Sequence, residues 1–414
     1  MKVWSFNQYG MLPQHGPMSR TYQFAKHLNE AGHETIAFVA SHPHNTPHQF
    51  AEKNKKYCLS NECDFPWVFI RTCNYEDGKP FSKIRRLYSL LEYFFGLFSV
   101  TKKFEKPDVI IGSSAPPFTS LAAILLAKKY NCKAIVEIRD LWPESIVAYG
   151  LLSKKNPVIK LMYALEKWLY TKADAVVFTM EGGREYVVKS GWDTEHGGTV
   201  DLGKLYHINN GVNLKEYVNN REQYILEDPD LDDENTYRVI YTGSIRKANR
   251  SILILPEVAK ELSLRSDKKI NILIYGRGNY VDELVNECEK KGIKNLKYKG
   301  NVSKLYVPYI LSKSHVNILN CSSTAMSKYG SSQNKLFEYL ASGKPIISGE
   351  NDKYSVIINR NCGISREFDN AGEIADAIIE LIENSSRYEN IADVAKEYDF
   401  GVLSQKLIKI MESI

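Results

Sequence analysis

Two successive series of short apolar runs, separated by segments with helical periodicity, constrain the fold of this chain more than any other feature. In the first half the runs are Val3–Phe6, Thr35–Ala40, Val68–Arg71, Val109–Gly112, Ala134–Ile138 and Ala175–Thr179. In the second half they are Val239–Tyr241, Ile270–Tyr275, Leu296–Tyr298, Val316–Leu319 and Pro345–Ser348. Such short runs are typical of parallel strands buried on both faces of a sheet. The pattern therefore predicts an α/β protein with two doubly wound domains, whose ligands bind at the carboxyl ends of the strands.

The chain length supports this division, because 414 residues are too many for one ordinary core. We expect an N-terminal domain over residues 1–205 and a C-terminal domain over residues 206–396. A last helix, within residues 397–414, could cross back to the N-terminal domain or pack on either domain. Helical periodicity is clearest at Pro17–Ala31, Ile252–Leu264, Val281–Lys291, Lys335–Ala341 and Val402–Met411.

The linker between the two series, near residues 219–236, contains the acidic run Glu227–Glu234. Its Asp-x-Asp spacing also occurs in the metal–nucleotide site of one class of sugar transferase. No apolar strand lies beside it in the sequence, so we interpret the run as a solvated acidic loop.

Cysteine spacing and the start of the chain indicate whether the protein has disulfides, a metal site or a secretory signal. The seven cysteines are odd in number and scattered, which argues against a disulfide framework. Cys58, Cys63 and Cys73 follow several histidines, but no Cys-x2-Cys pair occurs, so we expect no metal site. Met1–Phe6 enters a strand directly, without the features of a secretory signal, and we expect a reduced, cytoplasmic protein. The sequence contains no nucleic-acid recognition motif.

Positive charge is concentrated in the first half of the chain. Residues 1–205 contain 26 basic and 20 acidic residues, whereas the remainder contains 28 and 29. Ser82–Lys106 has six basic and two acidic residues around many apolar and aromatic side chains. A helix of this kind with basic ends predicts contact with an anionic membrane surface. The alternative is a helix that packs on its own domain through one face, formed by Ile84, Leu87, Leu91, Phe94 and Phe98.

The segment Thr324–Gly349 carries the strongest chemical signal. It contains a Gly/Ser turn, a helix start, one carboxylate and a buried strand. Backbone N–H groups at a helix start attract phosphate, because they are unpaired and lie at the positive end of the helix dipole. Glu338, one turn further along, could accept hydrogen bonds from sugar hydroxyls. The segment therefore predicts a nucleotide-sugar site.

Two further loops follow predicted strands of the second half and contain glycine beside basic residues. Gly243 and Ser244 follow the first strand, and Gly276 follows the second. Glycine after a strand is often only a turn, but three such loops in one doubly wound domain favour a nucleotide cleft. The basic residues could neutralise a diphosphate or could be ordinary surface charge; they are Arg246, Lys247, Arg250 and Arg277.

The chain resembles glycosyltransferase family 4, whose GT-B fold consists of two Rossmann-like domains. The resemblance covers nearly the whole chain and includes Gly10 to Gly16, His207–Asn213 and Thr324–Gly349. Glu137–Glu144 and Gln333–Tyr339 resemble a subgroup that adds amino sugars during bacterial O-antigen and capsule assembly.

This resemblance implies a retaining transferase that uses a nucleotide-sugar donor without a metal ion or a resident cofactor. In the family, the carboxylate at Glu338 binds the ribose hydroxyls. Main-chain amides near Asn334, Lys335 and Leu336 hold the diphosphate, and the loop around Val302 helps to hold the base.

The sequence departs from the family pattern at several positions. Gly330 stands where many members have a second glutamate, which contacts the donor sugar. Ser244 and Asn249 stand where the family has a phosphate-binding arginine and lysine, so Arg246, Lys247 or Arg250 could substitute for them. Arg139 stands where many members have a histidine near the sugar.

The reaction leaves negative charge on the diphosphate and positive charge on the sugar ring, so preorganised cations and N–H dipoles stabilise its transition state. In the front-face mechanism usually proposed for retaining members, the departing phosphate oxygen can take the acceptor's proton, and no dedicated base is needed. Arg139 and Asp140 are then the catalytic candidates nearest the sugar; Asp140 could orient the acceptor hydroxyl, and Glu144 is a further candidate. The alternative is that Arg139 pairs with Asp140 or Glu144 and only fixes the loop.

The first domain is expected to hold the acceptor. Gly16 and Pro17 open a helix, a position that suits proline. Arg20 could meet an acceptor pyrophosphate, and the alternative for Arg20 is a structural salt bridge.

We therefore expect a membrane-associated, cytoplasmic transferase that moves an N-acetylated hexosamine from a UDP donor to a lipid-linked saccharide in bacterial surface polysaccharide synthesis. A nucleotide-sugar epimerase of GT-B-like fold is the alternative enzyme. A non-catalytic subunit that binds a sugar nucleotide is the third possibility, motivated by Gly330, Ser244 and Asn249.

Overall fold

The computed structural model describes residues 1–16, 19–43, 48–75, 81–114, 116–246, 250–323 and 325–414. The chain forms two compact units, Met1–Asn209 with Phe400–Ile414, and Asn210–Asp399. Each unit contains a mainly parallel sheet with helices between its strands. The predicted α/β fold with two doubly wound domains is therefore confirmed.

In the described residues of the first unit, the sheet has eight strands. They are β1 (Lys2–Phe6), β2 (Glu34–Ala40), β3 (Tyr57–Leu59), β4 (Trp67–Ile70), β5 (Val109–Ser113), β6 (Lys133–Ile138), β7 (Ala175–Phe178) and β8 (Leu205–His207). Their spatial order is β3-β4-β2-β1-β5-β6-β7-β8, with β3 antiparallel to β4 and the other pairs parallel. All residues of β4 and β7 are buried, as expected for strands covered on both faces.

Among the residues that the structure describes, six α-helices connect these strands. They are α1 (Arg20–Glu30), α2 (Ser82–Val100), α3 (Pro117–Tyr130), α4 (Glu144–Ala148), α5 (Pro157–Lys172) and α6 (Gly183–Lys189). Proline at the start and left-handed Asn131 at the end fix the limits of α3. Because α3 packs against both α2 and α5, these three helices cover the same face of the sheet.

Where the structure describes the second unit, its sheet has six strands, all parallel. They are β9 (Tyr237–Thr242), β10 (Ile270–Tyr275), β11 (Leu296–Tyr298), β12 (Val316–Ile318), β13 (Ile346–Ser348) and β14 (Gly363–Ser365), in the spatial order β11-β10-β9-β12-β13-β14. Alternate residues enter two hydrophobic clusters, so that Val239 and Tyr241 belong to one and Ile240 to the other. The strand order reverses between β9 and β12, and open sheets of this type bind ligands at that point.

Ten α-helices lie in the described part of the second unit. They are α7 (Leu214–Gln223), α8 (Pro229–Asp232), α9 (Arg250–Leu253), α10 (Leu255–Arg265), α11 (Val281–Lys290), α12 (Val307–Ser312), α13 (Asn334–Ser342), α14 (Val356–Asn359), α15 (Ala371–Glu383) and α16 (Ile391–Lys396). The segment predicted as one helix over residues 252–264 is divided into α9 and α10, and Pro256 lies in the first turn of α10.

The last helix, α17 (Phe400–Ser413), belongs to the first unit. It packs against α1, where the rings of Phe24 and Phe400 lie 5.7 Å apart. Its apolar side chains recur with helical spacing and are buried; they include Leu403, Leu407, Ile410 and Met411.

The acidic linker is not the solvated loop that the sequence predicted. Asp228 is buried and accepts hydrogen bonds from the Tyr275 hydroxyl at 3.0 Å and from Lys299 Nζ at 2.7 Å. Asp230 also pairs with Lys299, at 2.9 Å, and with Lys297. The linker therefore docks on β10 through a hydrogen bond, and on β11 and the residue after it through ion pairs. These partners lie far away in the sequence, so local patterns could not reveal them.

The predicted packed face of α2 is also wrong. The buried residues of this helix are Ser89, Tyr93, Leu97 and Val100. The Tyr93 hydroxyl donates to the Phe38 carbonyl at 2.7 Å and fixes the rotation of the helix. Three residues of the predicted packed face, Ile84, Leu87 and Leu91, are exposed.

A buried carboxylate in the first unit gives a stability prediction. Glu166 accepts hydrogen bonds from the hydroxyls of Tyr170 at 2.6 Å and Tyr186 at 2.7 Å, and burial raises its pKa to about 8. The folded state therefore binds a proton that the unfolded state releases near its usual pKa of 4.5. We expect the free energy of unfolding to fall as the pH rises from about 5 to about 8. The variant Glu166→Gln should lack this decrease in the free energy of unfolding, because glutamine does not titrate.

Urea unfolding followed by tryptophan fluorescence measures this effect in the first unit, since all five tryptophans of the sequence lie there. Exposed Glu195→Gln is the control and should retain the wild-type pH dependence. If the free energy of unfolding depends on pH in the same way in Glu166→Gln and in the wild type, the prediction is wrong.

Candidate active site

The start of α13 lies in the segment that the sequence singled out. Gly330 has a φ of 86°, a conformation that favours glycine, and Gln333 precedes the helix in an extended conformation. Within the described residues, no side chain caps this helix start. The Leu336 amide donates to the Gln333 carbonyl at 3.0 Å, so the amides of Asn334 and Lys335 are the better phosphate donors.

The loop before α13 is held by Asn210, which lies in the segment His207–Asn213 named above. The Asn210 amide donates to Ser332 Oγ at 2.8 Å, and Asn210 Nδ2 donates to the Ser332 carbonyl at 2.6 Å. These two hydrogen bonds fix the backbone directly before the helix. A functional loop fixed in this way needs little reorganisation on binding a ligand.

The side chain of Lys335 has a role that the sequence did not indicate. Its ammonium donates to the Leu319 carbonyl after β12 and lies 4.2 Å from the centre of the Tyr241 ring on β9. Burial lowers its pKa to about 7. The lysine thus joins the first turn of α13 to the carboxyl ends of β9 and β12, where the strand order reverses.

Glu338 lies one turn further along α13, with 17% of its side chain exposed. Lys304 Nζ lies 3.1 Å from Glu338 Oε1, and Lys304 follows the loop that contains Val302. The predicted ribose carboxylate and the predicted base loop are therefore neighbours. Sequence reasoning missed Lys304, because a single lysine in a loop carries no recognisable signal.

The glycines after β9 and β10 allow their loops to pack closely. The Gly243 amide donates to the Tyr275 carbonyl at 3.0 Å, and the Gly276 amide donates to the Gly300 carbonyl at 2.8 Å. A Cβ atom on Gly276 would lie 1.8 Å from the Gly243 oxygen. These glycines therefore have a structural role, and their contact with a donor stays a prediction.

Two of the predicted diphosphate cations lie in these adjoining loops. Arg246 and Arg277 are exposed, and the Ile245 amide donates to the Arg277 carbonyl at 3.0 Å. Ser244 is exposed in the same loop. Lys247, Asn249 and the side chain of Arg250 lie outside the described part of the structure.

A second carboxylate, Glu350, lies near the start of α13 and was not predicted. It follows β13, and its Oε1 lies 3.5 Å from Gln333 Nε2. Burial, together with the nearby Asp352, raises its pKa to about 7. Its position after a strand, at the same sheet edge as the glycine loops, was the signal that could have identified it.

The first unit contains the predicted catalytic residues directly after β6. Arg139 is half-buried, and its amide donates to Ser114 Oγ at 3.3 Å. Asp140 is exposed as a residue, yet neighbouring atoms displace water from its carboxylate and raise its pKa, which the charge of Arg139 opposes. Glu144 accepts a hydrogen bond from the Tyr163 hydroxyl at 2.5 Å. These catalytic assignments stay predictions.

Arg20 forms the structural salt bridge that was the alternative to acceptor binding. Its side chain is 3% exposed, and its Nε donates to Glu137 Oε1 at 2.8 Å. Its other nitrogens donate to the carbonyls of Asn209 at 2.5 Å and Ile208 at 3.0 Å. Because these acceptors occupy the buried guanidinium, the expected contact with an acceptor pyrophosphate is corrected.

Gly16 is half-buried, and a Cβ atom there would lie 2.6 Å from Met11 Sδ. This close approach gives the glycine a packing role, and its contact with an acceptor stays a prediction. Pro17 lies outside the described residues, and the helix predicted from residue 17 begins at Arg20.

Several solved structures have the same two-unit fold. Sucrose-phosphate synthase from Thermosynechococcus elongatus superimposes over 100% of this chain and 98% of its own, with a TM-score of 0.68 and 15% identity. WaaG, a glycosyltransferase involved in lipopolysaccharide biosynthesis, covers 99% of both chains, with a TM-score of 0.64 and 14% identity. UDP-GlcNAc 2-epimerase from Neisseria meningitidis, bound to UDP-GlcNAc, covers 100% of both, with a TM-score of 0.59 and 14% identity. These similarities define the GT-B fold.

Two family models match successive parts of the sequence. A glycosyl transferase 4-like domain matches residues 15–200, and glycosyl transferases group 1 matches residues 226–398. The chain therefore belongs to the GT-B glycosyltransferases of the family 4 type. Comparison with the sequences of curated proteins gave no significant match.

Proposed function

We propose that this glycosyltransferase is a retaining enzyme that moves an N-acetylated hexosamine from a UDP-sugar to a lipid-linked saccharide in bacterial surface polysaccharide synthesis. The observation that carries the proposal is the uncapped start of α13, with Glu338 one turn further along and Lys304 beside it. A phosphate fits the start of α13, and the hydroxyls of a ribose fit the Glu338 carboxylate. The neighbours WaaG and UDP-GlcNAc 2-epimerase are consistent with the proposed pathway and donor.

The chemistry of the proposed site follows from its charges. The amides at the start of α13 and the loop cations Arg246 and Arg277 stabilise the negative charge that develops on the departing diphosphate. The proposal therefore needs neither a metal ion nor a resident cofactor. Asp140 orients the acceptor hydroxyl, and the departing phosphate oxygen takes its proton.

The proposed site of action is the inner face of the cell membrane, where α2 attaches the protein. Ile84 and Phe95 expose 66% and 65% of their surface, and Lys83 and Arg85 are exposed beside them. Exposed apolar residues flanked by basic residues are typical of helices that lie on anionic membranes. Among the described helices, none is both long and apolar enough to cross a membrane.

A thermal-shift screen tests the proposed donor. We expect UDP-GlcNAc, UDP-GalNAc or another UDP-sugar to raise the melting temperature, because a ligand that binds only the native state stabilises it. GDP-mannose and dTDP-glucose are the comparison donors. If none of these nucleotide sugars raises the melting temperature, the proposal is contradicted.

The fold shared with UDP-GlcNAc 2-epimerase favours the epimerase as the second candidate. An epimerase would convert UDP-GlcNAc into its C2 epimer without an acceptor, and proton NMR would detect the new anomeric signal. A transferase would leave this sugar unchanged until a lipid-linked acceptor is added. Acceptor-dependent turnover would also exclude a non-catalytic subunit.

Glu350 gives a pH prediction for donor binding. Because the pKa of Glu350 is raised to about 7, this carboxyl becomes negatively charged near the proposed diphosphate site as the pH rises. We expect the affinity for UDP-GlcNAc to fall about threefold to tenfold between about pH 6 and about pH 8. Lys335, whose pKa burial lowers to about 7, loses its positive charge over the same range and contributes to the decrease. Glu350→Gln should therefore reduce the decrease without abolishing it, as measured by calorimetry.

Exposed Glu389→Gln is the matched control for this measurement and should bind the donor with the wild-type pH profile. A pH-independent affinity in the wild type would show that Glu350 does not act on the diphosphate.

A further inference from the structure

A second exposed apolar surface lies in the first unit, on α5 and on the segment before it. We call it the α5 surface. It comprises Tyr149, Leu151, Leu152, Val158, Leu161 and Trp168, and Leu151 and Leu161 expose 71% and 70% of their surface. Large apolar side chains grouped in this way indicate a binding surface rather than ordinary exposure.

The helix α5 is apolar on two sides. Ile159, Leu169 and Tyr170 face the core and are buried. Val158, Leu161 and Trp168 recur with helical spacing on the exposed side. The core therefore buries one apolar side of α5, and a binding partner would cover the other side.

The charge around this surface identifies the chemistry of that partner. Residues 145–172 contain five lysines and a single carboxylate, Glu166, which is buried. Lys154, Lys155 and Lys160 are exposed among the apolar side chains. Lysine beside exposed leucine and tryptophan fits an anionic lipid surface. The same lysines would repel one another if two copies of the chain met through this surface.

The position of α5 relates this surface to α2. The helix α3 packs between α2 and α5, so all three lie on one face of the sheet. On α3, the residues Leu125, Lys128 and Lys129 are exposed. A bilayer is a broad surface and can contact all three helices at once.

We propose that the α5 surface is a second contact with an anionic phospholipid bilayer and that, together with α2, it sets the orientation of the first unit on the membrane. The chain leads from Asp140, after β6, through α4 directly into Tyr149 and Leu151. The contact therefore holds the carboxyl end of β6 near the lipid head groups, where a lipid-linked acceptor presents its sugar. The part of this inference that involves a lipid-linked acceptor rests on the proposed function.

Flotation of the full chain with vesicles tests the proposal. The vesicles contain phosphatidylglycerol and phosphatidylcholine, or phosphatidylcholine alone. We expect the double variants Leu151→Ser/Leu161→Ser and Lys154→Glu/Lys160→Glu each to weaken binding to the anionic vesicles about tenfold. The α2 variant Ile84→Ser/Phe95→Ser should weaken binding independently.

Leu264→Ser/Lys260→Glu changes an exposed leucine and lysine of the second unit and is the matched control. It should bind vesicles like the wild type. Unchanged vesicle binding by both α5 double variants would overturn the proposal. A dimer in the absence of lipid that either α5 variant converts to monomer would also overturn it, since the surface would then join two copies.

Thermal shifts with UDP-GlcNAc separate this proposal from the proposed function. Weakened vesicle binding with an unchanged donor shift would support the bilayer contact as a feature distinct from the donor site. Weakened vesicle binding by a protein that no nucleotide sugar stabilises would still support the bilayer contact, while contradicting the proposed function.

Discussion

Replacing Glu338 by alanine is expected to reduce the affinity for the UDP-sugar, and its turnover, by about a hundredfold or more. A carboxylate that accepts two ribose hydroxyls makes two charge-assisted hydrogen bonds, each worth about 1.5–3 kcal/mol. Losing about 3 kcal/mol corresponds to roughly a hundredfold in a dissociation constant. Calorimetry with UDP-GlcNAc measures the binding, and release of UDP in the presence of a lipid-linked acceptor measures the turnover.

The stability of this variant separates a binding role from a structural one. Glu338 contacts Lys304, whose side chain is 45% exposed. Ion pairs at exposed positions contribute about 0–1 kcal/mol, so the fold should tolerate the change. The variant Lys304→Met loses the same ion pair but keeps the carboxylate, and we expect it to bind the donor within a few-fold of the wild type. Normal donor binding by Glu338→Ala would show that Glu338 does not contact the donor.

The sequence predicted the elements of the candidate site well where the apolar pattern was bounded by turn residues. The strand β10 and the helix α13, which ends at left-handed Gly343, occur within a residue of the predicted limits. The short strands β3, β8 and β14 were missed, because each has only three residues and few of them are buried.

The contacts within the site could not be predicted, because they join residues far apart in the chain. The side chain of Lys335 reaches Leu319, and Glu338 meets Lys304 from the loop after β11. Periodicity also failed for α2, which is apolar on most sides, because tertiary contacts such as the Tyr93 hydrogen bond to Phe38 fix its rotation. Local patterns thus located the segments of the candidate site, and tertiary packing determined which side chains meet.

Replacing Arg20 by methionine is expected to destabilise the first unit by about 3–5 kcal/mol, because it leaves the Glu137 carboxylate without its buried partner. The carbonyls of Ile208 and Asn209 also lose their donors. Lysine cannot restore the fork geometry of these three contacts, so Arg20→Lys should recover little of the loss. Urea unfolding followed by tryptophan fluorescence reports this unit, which contains all five tryptophans.

The double variant Arg20→Met/Glu137→Gln tests the cause of this destabilisation. If an unpaired buried carboxylate is responsible, the double variant should be more stable than Arg20→Met. Lys55→Met breaks the exposed pair with Glu52 in the same unit and should change the free energy of unfolding by less than about 1 kcal/mol. An acceptor-binding arginine would behave differently, because its loss would raise the KM for the acceptor and leave the unfolding midpoint unchanged. That result would restore the acceptor role and contradict the structural one.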